Sequence, residues 1–351
     1  MKLFINARFL SQPISGVQRY GIECSLQIKR LYPSAIFLTP CNVLHKEMAK
    51  QIGAIIIGKN TGHLWEQIDL PLYLAAHKSP PLLSLANTAP LFYNNNFVTI
   101  HDLAFLHHPE WNSKTFSAFY NFLIPRIAKK SKHIFTVSNI IKQELVKHYK
   151  LPASKISVTY NGIGAQLLAE DTSAPPVKQK IILAVGTFSI RKNHQNLVKA
   201  YTLSNLKNDY QLIIIGDKHK VFAESGIDEH ALQQYNIKIM QRLTDAELKQ
   251  MYQRAEILVS ISGYEGFGIP VLEGIFFNCN IICSDIPVYR ELFAGAVNFC
   301  DPGSITDIAD SLNQIAGKPG IIDSENRNLL LQKYNYERAA HIILGSIIEN
   351  T

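Results

Sequence analysis

The chain has 351 residues, 47% of them hydrophobic and 18% charged, which excludes a disordered or fibrous protein and exceeds one ordinary domain. Its formal net charge of +7 is compatible with nucleic acid, a membrane surface or a phosphorylated substrate, and does not choose among them.

From the N-terminus, the apolar run after Met1 is too short for a signal peptide. No uninterrupted apolar stretch is long enough to span a bilayer, so any membrane association is expected to be peripheral. Strand-like apolar runs follow at residues 3–6, 36–39, 54–57, 82–86, 97–101, 134–138 and 156–160. A second series occupies 181–185, 211–215, 237–240, 257–261, 281–284 and 297–300. Helical spacing of apolar residues marks the intervening stretches, such as 21–31, 116–130 and 245–255. This alternation predicts an α/β chain with parallel sheets covered by helices on both faces.

Residues 165–179 are polar, contain Pro175-Pro176 and lack periodicity, so they read as a linker. Two doubly wound, Rossmann-like domains are expected, at 1–165 and 166–330. A last helix over 327–348 would let the tail, 331–351, cross back to the first domain. Ligands of such domains sit beyond the carboxyl ends of the strands, and two facing domains would place the site in a central cleft. Five cysteines, an odd number without a CxxC pair, read as reduced thiols of a cytoplasmic protein. Cys279 and Cys283 lack the second ligand pair that a zinc site needs.

The segment Val259-Ser-Ile-Ser-Gly-Tyr-Glu-Gly-Phe-Gly-Ile-Pro-Val-Leu-Glu-Gly274 carries the most chemistry. A buried strand ends near Ile261. Gly263, Gly266 and Gly268 make a turn in which backbone can approach a ligand, and Pro270 suits the first turn of a helix. N–H groups at such a helix start form an anion site. Glu265 precedes the turn, and Glu273 is expected in the first helical turn. Carboxylates beside an anion site need hydroxyl donors, which a sugar or ribose supplies. The plainer alternative is a strand–turn–helix junction with a capping glutamate.

This segment resembles the E-x7-E motif of the retaining GT-B glycosyltransferases of family four (group 1). The likeness runs through Gly-Phe-Gly-Ile-Pro-Val-Leu into Ser284-Asp-Ile-Pro-Val-Tyr-Arg-Glu291 and Asp301-Pro302. It implies that Glu265 contacts the transferred sugar and Glu273 the nucleotide ribose. Backbone of Phe267 and Gly268 would face the donor sugar and diphosphate.

Other segments fit the same reading. Gly186-Thr-Phe-Ser-Ile-Arg-Lys-Asn193 follows a strand. Arg191 and Lys192 there suit a diphosphate, one as a planar fork and one as a point charge, or are a solvated basic loop. The segment resembles the family's phosphate site, but Thr187 stands where some relatives carry a further arginine. Val98-Thr-Ile-His-Asp-Leu103 resembles the family's His-Asp-Leu element, which implies that His101 positions the donor sugar and that Asp102 is structural. Ser15-Gly-Val-Gln-Arg-Tyr20 opens a helix and resembles a loop that faces the cleft, making Gly16 and Arg19 candidate contacts to diphosphate or acceptor. A plain helix cap with a surface arginine is the alternative. Leu243 and Thr244 lie where relatives hold the base through backbone atoms. Trp65-Glu-Gln67 and Thr136-Val-Ser-Asn139 also fit the family and are assigned to packing or acceptor shape.

The resemblance implies transfer of a hexose from a GDP-, UDP- or dTDP-sugar to a saccharide or lipid-linked acceptor. Bacterial mannosyl- and rhamnosyltransferases of polysaccharide assembly make GDP-mannose the first choice of donor. No cofactor is expected, and the absence of an Asp-x-Asp motif points to metal-independent departure of the diphosphate. An epimerase or a phosphorylase on the same fold is the enzymatic rival. A nucleic-acid binder is disfavoured because no such module is visible. The basic residues are dispersed apart from a cluster at 126–132, which would equally meet acidic lipid headgroups.

Overall fold

The computed structural model describes residues 2–351 except 170–175, 217–231, 233, 242, 319 and 321. The chain forms two compact units, Met1–Asn161 with Tyr334–Thr351, and Gly162–Lys333.

The first unit is built on a seven-stranded sheet. Its strands are β1 (Phe4–Asn6), β2 (Ile36–Thr39), β3 (Ile55–Ile56), β4 (Leu82–Ser84), β5 (Asn96–Thr99), β6 (His133–Thr136) and β7 (Ile156–Val158). They are ordered β3-β2-β1-β4-β5-β6-β7, and every pairing is parallel. β1, β4, β5 and β6 are buried along their whole length, which is why they read as continuous apolar runs rather than alternating ones. The order reverses between β1 and β4, and this switch point is where such a sheet opens a crevice for a ligand. Helix α1 (Gly16–Leu31) starts at Ser15, whose N–H and hydroxyl both donate to Gln18 Oε1, at 3.2 and 2.5 Å. Helices α2 (Lys114–Lys130) and α3 (Asn139–Tyr149) start on Ser113 and Ser138, whose hydroxyls accept from the N–H of Phe116 and Ile141.

The expected helix over 327–348 is two helices, Ser324–Lys333 and Tyr336–Glu349. Asn335 between them is extended (φ −143°, ψ 151°), and its side chain caps the second helix through the Arg338 N–H at 2.7 Å. A local cap thus overrides an apolar period that runs straight through it. The second of these helices packs on α1, with Tyr20 and Tyr336 rings 6.1 Å apart and an Arg30–Glu337 ion pair at 2.6 Å.

The second unit has a six-stranded parallel sheet. Its strands are β8 (Gln179–Val185), β9 (Gln211–Ile215), β10 (Ile237–Met240), β11 (Ala255–Ser260), β12 (Asn280–Ser284) and β13 (Asn298–Cys300). The order is β10-β9-β8-β11-β12-β13, with its switch point between β8 and β11. The helices that matter below are α4 (His194–Leu203), α5 (Asp245–Arg254), α6 (Ile269–Phe276), α7 (Pro287–Phe293) and α8 (Ile305–Ile315). Gly274 of α6 lies so close to β11 that a Cβ there would stand 2.4 Å from Leu258 Cδ2. The linker read at 165–179 begins with a helical turn, Ala165–Leu168, and ends inside β8; its centre, 170–175, lies outside the described residues. None of the five cysteines is in a disulfide.

Candidate functional site

At the switch point of the second unit, β8 ends at Val185 and β11 at Ser260, and the loops after them meet. The Gly263 N–H donates to the Arg191 carbonyl at 2.8 Å, tying the glutamate loop to the basic turn. Lys192 Nζ donates to Glu265 Oε1 at 2.5 Å, and Arg191 Nη2 lies 3.7 Å from Glu265 Oε2. Burial alone would raise the Glu265 carboxyl, but the two cations and hydrogen bonds from Lys192 and Ser262 outweigh it and hold the group at about 2. Glu265 is therefore an anion at neutral pH, buried with two cations beside it. Gly186 has a φ of +154°, and a Cβ there would come 3.1 Å from Lys192 Cε. Its missing side chain leaves room for the lysine stem.

Of the three turn glycines, Gly268 alone has a positive φ, +102°. That backbone disfavours any Cβ, and one built there would lie 2.4 Å from the Tyr289 ring. Gly268 is the N-cap of α6, and Phe267 before it is buried against Phe293. Glu273 is the fifth residue of α6, in its second turn rather than its first, because the helix starts only at Ile269. It is buried, and Tyr252 of α5 donates its hydroxyl to Glu273 Oε2 at 2.5 Å. Tyr252 lies 21 positions away, so no local spacing announces the pair.

Thr244 caps α5 in a full capping box with Glu247. Its N–H and hydroxyl both donate to Glu247 Oε2 at 2.8 Å, and its carbonyl accepts from Leu248. Leu243 before it is half-buried. His194, at the start of α4, was not singled out by the sequence. Burial, with a smaller contribution from Lys192, drives it down to about 4, so the ring is neutral at pH 7.

In the first unit, His101 follows β5 and is buried. Its Nε2–H donates to the Leu85 carbonyl at 2.8 Å, its backbone N–H to Asn87 Oδ1, and its ring meets Tyr20 edge-on at 4.8 Å. Burial lowers its pKa, only partly offset by the Leu85 bond and Asp102. The imidazole is neutral with its lone pair on Nδ1. Asp102 accepts from the Ala104 N–H at 3.1 Å. Gly16 is the first residue of α1; the Arg19 N–H donates to the Ser15 carbonyl.

The first switch point holds a cluster the sequence did not announce. Arg8, just past β1, donates from Nε to Glu66 Oε1 at 3.2 Å and from Nη2 to Thr88 Oγ1 at 2.8 Å. Asn6 Nδ2 also donates to Glu66 Oε1, at 2.8 Å. Burial would raise the Glu66 carboxyl, yet Arg8 and His63 hold it at about 2. The available signals were an arginine two residues past the first strand and the glutamate of Trp65-Glu-Gln67.

With these sites described, the chain can be set beside known proteins. A family model for "Glycosyl transferases group 1" matches residues 169–335, and one for "Glycosyltransferase Family 4" matches residues 66–167. The chain belongs to the family 4, group 1 glycosyltransferases. This glycosyltransferase is 27% identical over 266 residues to the O-antigen chain mannosyltransferase RfbU of Salmonella typhimurium, covering 75% of this chain and 72% of that one. It is 22% identical to the O-antigen chain mannosyltransferase B of Escherichia coli, over 93% and 95% of the two chains. Its fold is similar to that of Anabaena Alr3699/HepE in complex with UDP-glucose, with a TM-score of 0.77, 15% identity, and 99% and 100% coverage. The same holds for WaaG, a glycosyltransferase of lipopolysaccharide biosynthesis, with a TM-score of 0.68, 13% identity, and 98% and 95% coverage. The glycosyltransferase thus has the two-domain Rossmann-like GT-B fold. Among its described residues, no helix is long and apolar enough to cross a membrane.

Proposed function

We propose that this glycosyltransferase moves a hexose from a nucleotide-sugar to a saccharide or lipid-linked saccharide in O-antigen-type assembly, with retention at the anomeric carbon and without a metal ion. GDP-mannose is the first donor to test. The observation that carries the reading is the Arg191–Lys192–Glu265 cluster at the switch point of the second sheet. Two adjacent cations suit a diphosphate, and an ionised carboxylate beside them suits sugar hydroxyls. The two O-antigen mannosyltransferases support mannose, and the UDP-glucose complex of HepE supports a nucleotide donor.

In this mechanism Lys192, Arg191 and the N–H groups of Phe267 and Gly268 meet the charge that grows on the departing diphosphate. Glu265 contacts the transferred sugar and offsets positive charge at its anomeric carbon. Glu273, with one oxygen fixed by Tyr252, binds the ribose hydroxyls. The base lies against backbone of Leu243 and Thr244. His101 positions the sugar with a neutral ring, and Gly16 and Arg19 at the start of α1 contact diphosphate or acceptor. The departing phosphate takes the acceptor proton on the same face. The same reading places the protein on the cytoplasmic side of the membrane, against acidic lipid. There Arg126 stacks on the exposed Phe122 at 3.8 Å and Lys130 lies 5.0 Å from the exposed Phe92. Each of the three cations also donates to a backbone carbonyl, Arg126 to Phe122, Lys130 to Leu91 and Lys132 to Asn350.

A thermal-shift panel of GDP-, UDP- and dTDP-sugars tests the donor, since a tight ligand raises stability by mass action. Lys192→Ala should weaken nucleotide binding by about ten-fold or more in calorimetry, the loss of one charge-assisted contact. Unchanged affinity would remove the phosphate role.

A further inference from the structure

We propose that His63 and Phe119 form a recognition subsite for hydroxyls of the saccharide acceptor, with Glu66 and Arg8 as positioning residues behind it. The proposal deepens the transfer reading above and rests on it.

Its first support is a break in helical geometry. Residues 62–76 begin and end as α-helix, but Trp65–Asp69 between is a π-helical turn. The Leu70 N–H donates five residues back, to the Trp65 carbonyl, and Pro71 has no N–H to resume the α pattern at once. Such turns inside α-helices are costly and collect at functional sites. This one carries Trp65 and Glu66, adjacent in sequence and both buried.

The second support is what the turn holds in place. His63 Nδ1 lies 3.3 Å from Glu66 Oε2. An ionised carboxylate only accepts, so Nδ1 donates to it and Nε2 lies on the far side of the ring. The side chain is 36% exposed, above a carboxylate that is 1% exposed. Phe119 of α2 meets the His63 ring edge-on at 5.0 Å and is itself 39% exposed, and Tyr120 lies 6.2 Å away. A ring nitrogen that bonds a hydroxyl, next to an aromatic face for the sugar's C–H surface, is a pairing suited to a neutral pyranoside.

The third support is position and cost. The Arg8–Glu66 pair occupies the switch point between β1 and β4, where a doubly wound sheet binds its ligand. A buried ion pair is weak as a source of stability, because apolar residues of similar volume serve as well. Here it fixes the orientation of a surface imidazole, as a carboxylate behind a histidine does in metal and catalytic sites.

The test is initial-rate kinetics with the donor chosen by the thermal-shift panel and a set of octyl hexopyranosides as acceptors. For His63→Ala, the acceptor KM should rise about ten-fold or more, one hydrogen bond to a fixed group, while calorimetry shows the nucleotide Kd within about two-fold of wild type. His63→Gln, whose amide can still donate to Glu66, should recover part of the loss. Phe119→Ala, on an exposed ring of a different helix, should raise the acceptor KM by about three- to five-fold and is independent of whether the 62–76 stretch tolerates change. An unchanged acceptor KM in both His63→Ala and Phe119→Ala overturns the subsite. So does a wild-type protein that binds nucleotide-sugar but transfers to no hexoside. A wild-type protein that binds no nucleotide-sugar overturns the transfer reading itself.

Discussion

The two switch points hold similar chemistry at different depths. In the first unit Glu66 meets Arg8, and the two side chains are 1% and 6% exposed. In the second, Glu265 meets Lys192 and Arg191, and the cations are 13% and 28% exposed. Both carboxyls are buried and both are held at about 2 by their cations. The first cation is closed over by Thr88 and the carboxylate by Asn6, and the pair meets the surface through His63. The second pair leaves its cations within reach of water. A doubly wound sheet thus decides where a charge is put, and the loops beyond its strands decide whether a ligand can use it.

Four outcomes would break or sharpen this contrast. The largest effect is expected for Glu265→Ala: loss of transfer by about a thousand-fold or more, the scale of removing one electrostatic contact to the transition state, with the fold retained in circular dichroism. Normal turnover would end the assignment of Glu265 to the sugar. Next is Glu66→Ala, which strands a buried guanidinium and should cost about 3–5 kcal/mol in urea unfolding. Glu265→Ala should cost clearly less by the same measurement, because Arg191 and Lys192 can rehydrate. Equal costs would erase the difference between the two sites.

Acid comes third. Both carboxyls have folded values below their unfolded ones, so their stabilisation is complete above the unfolded value of about 4.3 and is lost as pH falls towards about 2. His194 acts earlier. Its folded value of about 4 lies below the unfolded value of about 6.5, so stability falls across that window as the unfolded chain takes up the proton. His194→Gln should flatten the stability profile between about pH 6.5 and 4 and leave the lower limb in place. The smallest effect is expected for Thr244→Ala, about 1 kcal/mol for a lost N-cap, read as a small fall in melting temperature. A large change in nucleotide affinity in that variant would show that the cap also shapes the base contact.

Much of the fold was legible in the sequence because a parallel strand buried on both faces is written as an unbroken apolar run. Each of the thirteen runs coincides with a strand of the two sheets. Helix ends were less legible. The Asn335 cap divides a continuous apolar period, and Ile269 rather than the preceding glycines begins α6, which moves Glu273 into the second turn. At the site, Glu265, Arg191 and Lys192 stand out because glycine turns and adjacent cations are local signals. Arg8 does not, since its partner is 58 residues away.

The sequence by itself determined the class of fold, the two alternating series and the loops that carry charge, because these depend on neighbours within a few residues. Only the tertiary structure decided that Lys192 and Arg191 close on Glu265, that Tyr252 holds Glu273, and that Arg8 and Glu66 stand behind His63. Those pairings follow from strand order, which brings distant loops to one sheet edge, and from burial, which makes an unpartnered charge too costly to leave.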